Sequence, residues 1–148
     1  TILMNIIVTI TMMVHLKKAK SIPLMQSEQT NFVSAAFAQA QQAFTNVEKS
    51  SDSGRYATVD IGGVLNGIRE PFAAYELGFQ QPLNTENNEH YIYSIIRHSS
   101  GQWIGSKTLV SIYTKDNPHH DFGTAITYTR KYAAKALLGI ADKDTDGN

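Results

Sequence analysis

The sequence predicts an α+β fold: a three-stranded antiparallel β-meander packed with helices in the order α-α-β-β-β-α. Three observations carry this prediction. Residues 27–47 repeat apolar side chains at intervals of three and four, the period of a helix. Residues 79–113 are rich in β-branched and aromatic residues and are punctuated by two polar breaks, as a meander requires. Residues 122–138 return to helical spacing and stop at Gly139. A chain of 148 residues suits one domain with its own core, and 42% hydrophobic against 18% charged residues excludes a disordered one.

The first stretch, residues 2–14, is apolar and β-branched, with Asn5, Thr9 and Thr11 inside it and Lys17, Lys18 and Lys20 after it. It falls short of the roughly 20 apolar residues a spanning helix needs. Its positive charge follows the apolar run, whereas a secretory signal carries it in front. A buried or edge strand, or an extension outside the functional domain, is therefore expected, and no membrane anchor. The chain begins at Thr1, and Met25 stands just before the first clear helix. Residues 1–25 are read as an N-terminal extension and residues 26–148 as the domain.

In residues 27–47, Ser27 is the expected N-cap, and Phe32, Ala36, Ala40, Ala43, Phe44 and Val47 form one apolar stripe. Residues 48–56 are a polar loop. Thr58 is expected to cap a second helix running to about Leu77, with Gly78 as its stop and Ile61, Val64, Leu65, Ile68 and Phe72 at helical spacing. Gly62, Gly63 and Gly67 weaken that helix, and Pro71 should kink or split it. These glycines follow no strand and lack the G-x-x-x-x-G-K-[ST] pattern, so no ATP site is expected.

Residues 79–83 read as a short strand, with Pro82 marking an edge. Residues 84–89 read as a turn, 91–98 as a strand, 99–102 as a hairpin loop around Gly101, and 103–113 as the return strand. Alternation puts Tyr91, Tyr93, Ile95 and Arg97 on one face and Ile92, Ser94, Ile96 and His98 on the other. Residues 114–121 read as a loop. In the last helix Phe122, Ile126, Ala133 and Leu137 should face the core. Thr124, Thr127, Tyr128, Lys131 and Lys135 form a second stripe, with Arg130 on its flank.

Thirteen basic and thirteen acidic residues cancel, so any polyanion site must come from local segregation of charge. Residues 91–113 contain Arg97 and Lys107 and no acid; residues 122–141 contain Arg130, Lys131 and Lys135 and no acid. Hydroxyls and cations on one helix face suit phosphate oxygens, and Tyr128 offers a stacking face. Arg97 and Lys107 are candidate backbone contacts, with Arg55 and Arg69 behind them. A solvated basic helix is the plainer reading of the same spacing. The absence of cysteine excludes disulfides and thiolate chemistry. Asp142, Asp144 and Asp146 open like a calcium loop but lack its later Glu. His119, His120 and Asp121 are adjacent in sequence, and neighbours seldom point at one ion. The long acid-free stretch argues against a hydrolase, so no enzyme is expected.

The run from Gly123 to Ile140, Gly-Thr-Ala-Ile-Thr-Tyr-Thr-Arg-Lys-Tyr-Ala-Ala-Lys-Ala-Leu-Leu-Gly-Ile, followed by Asp-Lys-Asp-Thr-Asp-Gly-Asn, resembles the signature of the Erf (essential recombination function) family of phage single-strand annealing proteins. The upstream order is similar too: Ala40-Gln41, then Val47-Glu48-Lys49, Tyr56-Ala57, Ile68-Arg69-Glu70-Pro71, Leu77-Gly78-Phe79, Gln81, and His98-Ser99-Ser100-Gly101. The resemblance covers residues 27–148. It departs at Thr129, where Ala is usual, and at Lys131, where a second Arg is usual; Lys keeps the charge and loses the bidentate fork. The resemblance implies the phage annealing fold, ATP-independent binding of single-stranded DNA, annealing of complementary strands in homologous recombination, and ring or helical homo-oligomers. It implies no cofactor, and the acidic tail leaves room for modulation by Mg2+. Further partners would be a phage exonuclease or a host single-strand-binding protein, in the cytoplasm of a bacterial host. The alternative class is an oligomeric interaction module that binds no DNA.

Overall fold

The computed structural model describes residues 1–20, 25–45, 60–113 and 117–142, with backbone alone for 14–20. Within them the chain is α+β, with four helices and one antiparallel sheet of five strands. The elements run α1 (Ile2–Lys20), β1 (Met25–Gln26), α2 (Asn31–Gln41), α3 (Ile61–Ala74), β2 (Leu77–Gln80), β3 (Leu83–Glu86), β4 (Glu89–His98), β5 (Trp103–Leu109) and α4 (Pro118–Leu138). The sheet order is β1-β5-β4-β2, and β3 also pairs with β4.

Two strands exceed the predicted three. Pro82 divides the expected 79–83 strand, so that β2 pairs with one half of β4 and β3 with the other. The expected 84–89 turn narrows to Asn87 and Asn88, both at positive φ, which is the chemistry of a tight hairpin. Two-residue β1 adds to the far edge of β5 at Met25, a residue the sequence assigns to the extension.

The first stretch is a helix, not a strand. α1 carries Ile2, Leu3, Met4, Ile6, Ile7, Val8 and Ile10 exposed to solvent. Its β-branched content favours a strand only where a sheet offers a half-buried pleated surface, and α1 is not in the sheet. Among the described residues no helix is long and apolar enough to cross a membrane.

α2 starts at Asn31 rather than Ser27, because Ser27 is drawn to the sheet: its backbone N–H donates to the Trp103 carbonyl, and its hydroxyl accepts from the Trp103 N–H. The free N–H groups of Phe32 and Val33 find Gln102, whose Oε1 accepts both at 2.7 and 3.0 Å. The buried stripe is then Val33 and Ala40, with Ala36, Phe37 and Phe44 packed on the core, while Phe32 stays exposed. α3 is one helix through Pro71, capped by Asp60, whose carboxylate accepts from Gly63 N–H at 2.6 Å. Thr58, its expected cap, lies outside the described residues. The helix ends at Tyr75, Glu76 turns at positive φ, and Gly78 belongs to β2 opposite Arg97.

α4 begins four residues earlier than expected. Asn117 accepts from His120 N–H and Pro118 takes the first helical position, where its missing donor costs nothing. Gly139 closes it in the left-handed conformation, as the sequence predicts. The three helices α2, α3 and α4 lie on one face of the sheet. Val33, Val64, Ile68, Phe72, Ile96, Ala134 and Leu138 meet there as the core.

Candidate functional site

The helix face of β4 carries Ile92, Ser94 and Ile96, all fully buried. By register Ile104, Ser106 and Thr108 of β5 share that face. α4 crosses it with its position fixed by side-chain bonds from distant segments. Gln81 Nε2 donates both to Ser94 Oγ at 3.0 Å and to the Arg130 carbonyl at 2.9 Å. Gln41 Nε2 donates to the Leu138 carbonyl at 3.1 Å. The Phe122 ring meets His90 edge-on at 4.9 Å. One side of α4 is thereby held down, and an open groove runs between the helix and the end of β5.

Between them lies a groove of about 420 Å³ lined by Thr108, Leu109, Ser111, Tyr113, Asp121, Thr124, Ala125, Tyr128, Thr129 and Tyr132. Tyr128 and Tyr132, one helical turn apart, stack with ring centroids at 6.1 Å and planes 15° from parallel. They are 48% and 55% exposed, and Tyr113 is 86% exposed. A second groove, lined by His119, His120, Gly123, Thr124, Thr127 and Tyr128, shares Thr124 and Tyr128 with the first, so one surface follows the first turns of α4. Thr127 and Thr129 each donate their hydroxyl to the carbonyl four residues back, at 3.0 and 2.7 Å.

The expected basic stripe is rearranged. Lys131 is only 6% exposed, and its Nζ lies 4.6 Å from the Tyr128 ring centroid and 4.8 Å from that of Tyr132. The stripe presents it to a polyanion; instead the ammonium lies against both tyrosine rings. Lys135 is largely covered and pairs with Asp142 at 2.5 Å, with its Nζ 5.6 Å from the Tyr132 ring. Arg130 is half-buried and does not line the groove; its Nε has no hydrogen-bond partner among the described residues.

Arg97 and Lys107 lie elsewhere. Register places Tyr91, Tyr93 and Arg97 of β4 with Leu109, Lys107 and Trp103 of β5 on the face turned away from the helices. Arg97 Nε donates to Gln80 Oε1 at 2.5 Å. Lys107 pairs with Glu86 at 2.6 Å and its Nζ sits 4.3 Å over the Tyr91 ring. The Lys107 ammonium, joined by the Tyr93 hydroxyl, holds the Glu86 carboxyl below its usual range, and Glu86 in turn raises Lys107. Arg69 borders a separate apolar pocket between α3 and β2, with Leu65, Phe72 and Phe79. Arg55, and the tail residues Asp144 and Asp146, lie outside the described residues. Among the described residues no three His, Asp or Glu side chains are grouped to hold a metal ion, His119, His120 and Asp121 included.

Of the ten candidate residues, then, Thr124, Thr127 and Tyr128 share the surface along α4, with Lys131 and Lys135 behind its aromatic pair. Tyr132, Tyr113, Thr108 and Ser111 are lining residues that sequence reasoning missed. The spacing of four between Tyr128 and Tyr132 was a usable signal; Thr108 reaches the groove through strand pairing, and Ser111 and Tyr113 through the segment that follows β5. A family model described as the ERF superfamily matches residues 33–148. No curated protein and no solved structure matches the chain.

Proposed function

This chain belongs to the ERF superfamily, and from that premise we propose that it binds single-stranded DNA without ATP and anneals complementary strands in phage homologous recombination, as a ring or helical oligomer. The observation that supports the reading is the exposed, stacked pair Tyr128 and Tyr132 along an open groove. Aromatic faces bind bases of any sequence by stacking and leave their pairing edges free, which is what annealing demands. An oligomer would join many short grooves into one track, so that modest affinity per subunit multiplies.

Thr124, Thr127 and Tyr128 are the proposed contacts, with Tyr132 added. Lys131 and Lys135 support the aromatic pair. Arg97 and Lys107, across the thickness of the sheet, would serve the same strand only by its passing round the β5 edge, and Arg69 would serve a further surface. The role is binding, not bond-making. Its partners would be the complementary strands, further copies of the chain, and a phage exonuclease or host single-strand-binding protein in the host cytoplasm.

The test is annealing of two dye-labelled complementary oligonucleotides followed by energy transfer, without nucleotide triphosphate. The expected result is acceleration over the spontaneous rate, with rings or filaments in electron micrographs once strands are added. No acceleration at any protein concentration would falsify the reading.

A further inference from the structure

We propose that the groove beside α4 recognises the nucleobases of a single strand and not its phosphates, so that its affinity is largely indifferent to backbone charge. This rests on the single-strand reading above and specifies which part of the strand the site takes. Three observations carry it.

First, no Lys or Arg is among the described residues that line the groove; the charged lining residue is an acid, Asp121. Of the three α4 cations beside the tyrosines, Arg130 does not line the groove and the other two are already engaged. Lys131 is buried over the two rings, and Lys135 is paired with Asp142. A site built to neutralise phosphates would present those ammonium groups to solvent.

Second, two threonine hydroxyls along α4, Thr129 in this groove and Thr127 in the adjoining one, have the wrong polarity for phosphate. A threonine hydroxyl has one proton to donate. Thr127 and Thr129 each give theirs to a carbonyl of their own helix, which leaves them only lone pairs to offer a ligand. A phosphate oxygen only accepts and gains nothing from them. The amino groups of adenine, cytosine and guanine each carry a second hydrogen that base pairing does not use, and that hydrogen is matched.

Third, Tyr128 and Tyr132 are nearly parallel and border the groove, while Lys131 sits over both rings. The cation fixes the rings in one orientation and leaves groove-facing surface for a base. The volume of about 420 Å³ falls among the clefts of roughly 300–1,000 Å³ that enclose small planar ligands.

The experiment is competition against a fluorescent DNA oligonucleotide on the intact protein, with three unlabelled strands of equal length. These are the DNA itself, the same base sequence on an uncharged peptide backbone, and an abasic phosphodiester strand. The uncharged strand should compete within about tenfold of DNA, and the abasic strand should be at least about tenfold weaker. Tyr128→Ala with Tyr132→Ala should remove the preference for bases, and Tyr128→Phe with Tyr132→Phe should keep it. If the uncharged strand fails to compete, or the abasic strand competes as well as DNA, the inference is overturned and single-strand binding stands. If DNA itself does not bind, the function proposed for the groove falls as well. The competition series uses the unmodified protein, so it decides the matter even where an alanine variant does not fold.

Discussion

Gly105 has room for a hydrogen and nothing larger: a Cβ there would stand 2.7 Å from the Ser94 carbonyl oxygen, a backbone atom that cannot swing aside. Gly105→Ala should destabilise the domain by about 1–3 kcal/mol, as overpacking does. Gly139→Ala fails for another reason. Its φ of 72° is the left-handed helix stop, which costs an L-residue about 1–2 kcal/mol. Its Cβ would also meet Gln41 Nε2 at 2.8 Å, disturbing the amide that holds the Leu138 carbonyl. Urea unfolding of both variants checks these values. Gly139 was legible in sequence as the glycine closing a periodic run. Gly105 was not, because its obstacle belongs to the neighbouring strand. Lys131 shows the same limit. Spacing put it on the stripe with Tyr128 and Lys135, and that spacing is correct; its burial depends on two tyrosine rings folding over it.

At the scale of elements, two acids hold cations that the sequence presents as free. Asp142 follows α4 and pairs with Lys135 beside Tyr132. Asp142→Asn should release that ammonium, tighten single-strand binding, and steepen the log–log salt dependence by about 0.7, the share of one phosphate contact. Oligonucleotide titrations at two salt concentrations measure this. Glu86 of β3 likewise holds Lys107 of β5. Its carboxyl is lowered, so the stability the pair contributes is complete above the ordinary Glu value of about 4.3 and is lost as pH falls through the lowered value. Lys107 is raised, so on the alkaline side the contribution is complete below about 10.4 and is lost as pH rises through the raised value. An NMR titration should find the Glu86 midpoint below the ordinary range, and Lys107→Met should move it back up. The acid-free run 91–113 was a true feature of the sequence. A strand pairs with its neighbours, however, and β3 brings the missing acid from 21 residues away.

Over the whole molecule, the part of α1 up to Met13 presents Ile2, Leu3, Met4, Ile6, Ile7, Val8, Ile10, Met12 and Met13 to water, where a surface helix usually buries its apolar side chains. Removing residues 1–24 should reduce self-association in light scattering and leave strand annealing intact, if residues from Met25 onward are the functional unit. Loss of annealing would instead make α1 part of the assembly that acts on DNA. Met25 must be kept, because β1 pairs there with Gly105. The sheet itself separates the proposed contacts: the α4 groove opens beside one face, and Arg97 and Lys107 occupy the other.

The sequence by itself determined the α+β class, the β4–β5 hairpin around Gly101, the last helix and its stop at Gly139, and the family, since each of these is written in local periodicity, turn chemistry or an ordered motif. The tertiary structure decided what those elements do to one another. Gln102 caps α2 from a hairpin about 70 residues away, Gln81 fastens α4 through the Arg130 carbonyl, and Asp142 and Glu86 engage the cations. The physical reason is the same throughout. Helix and strand periods are set by backbone geometry within a few residues. The partner of a buried donor or a charge is whichever group the folded chain brings within about 3 Å, and local periodicity does not name it. So α4, a basic amphipathic helix by spacing, becomes in three dimensions the wall of an aromatic groove whose cations lie behind its rings.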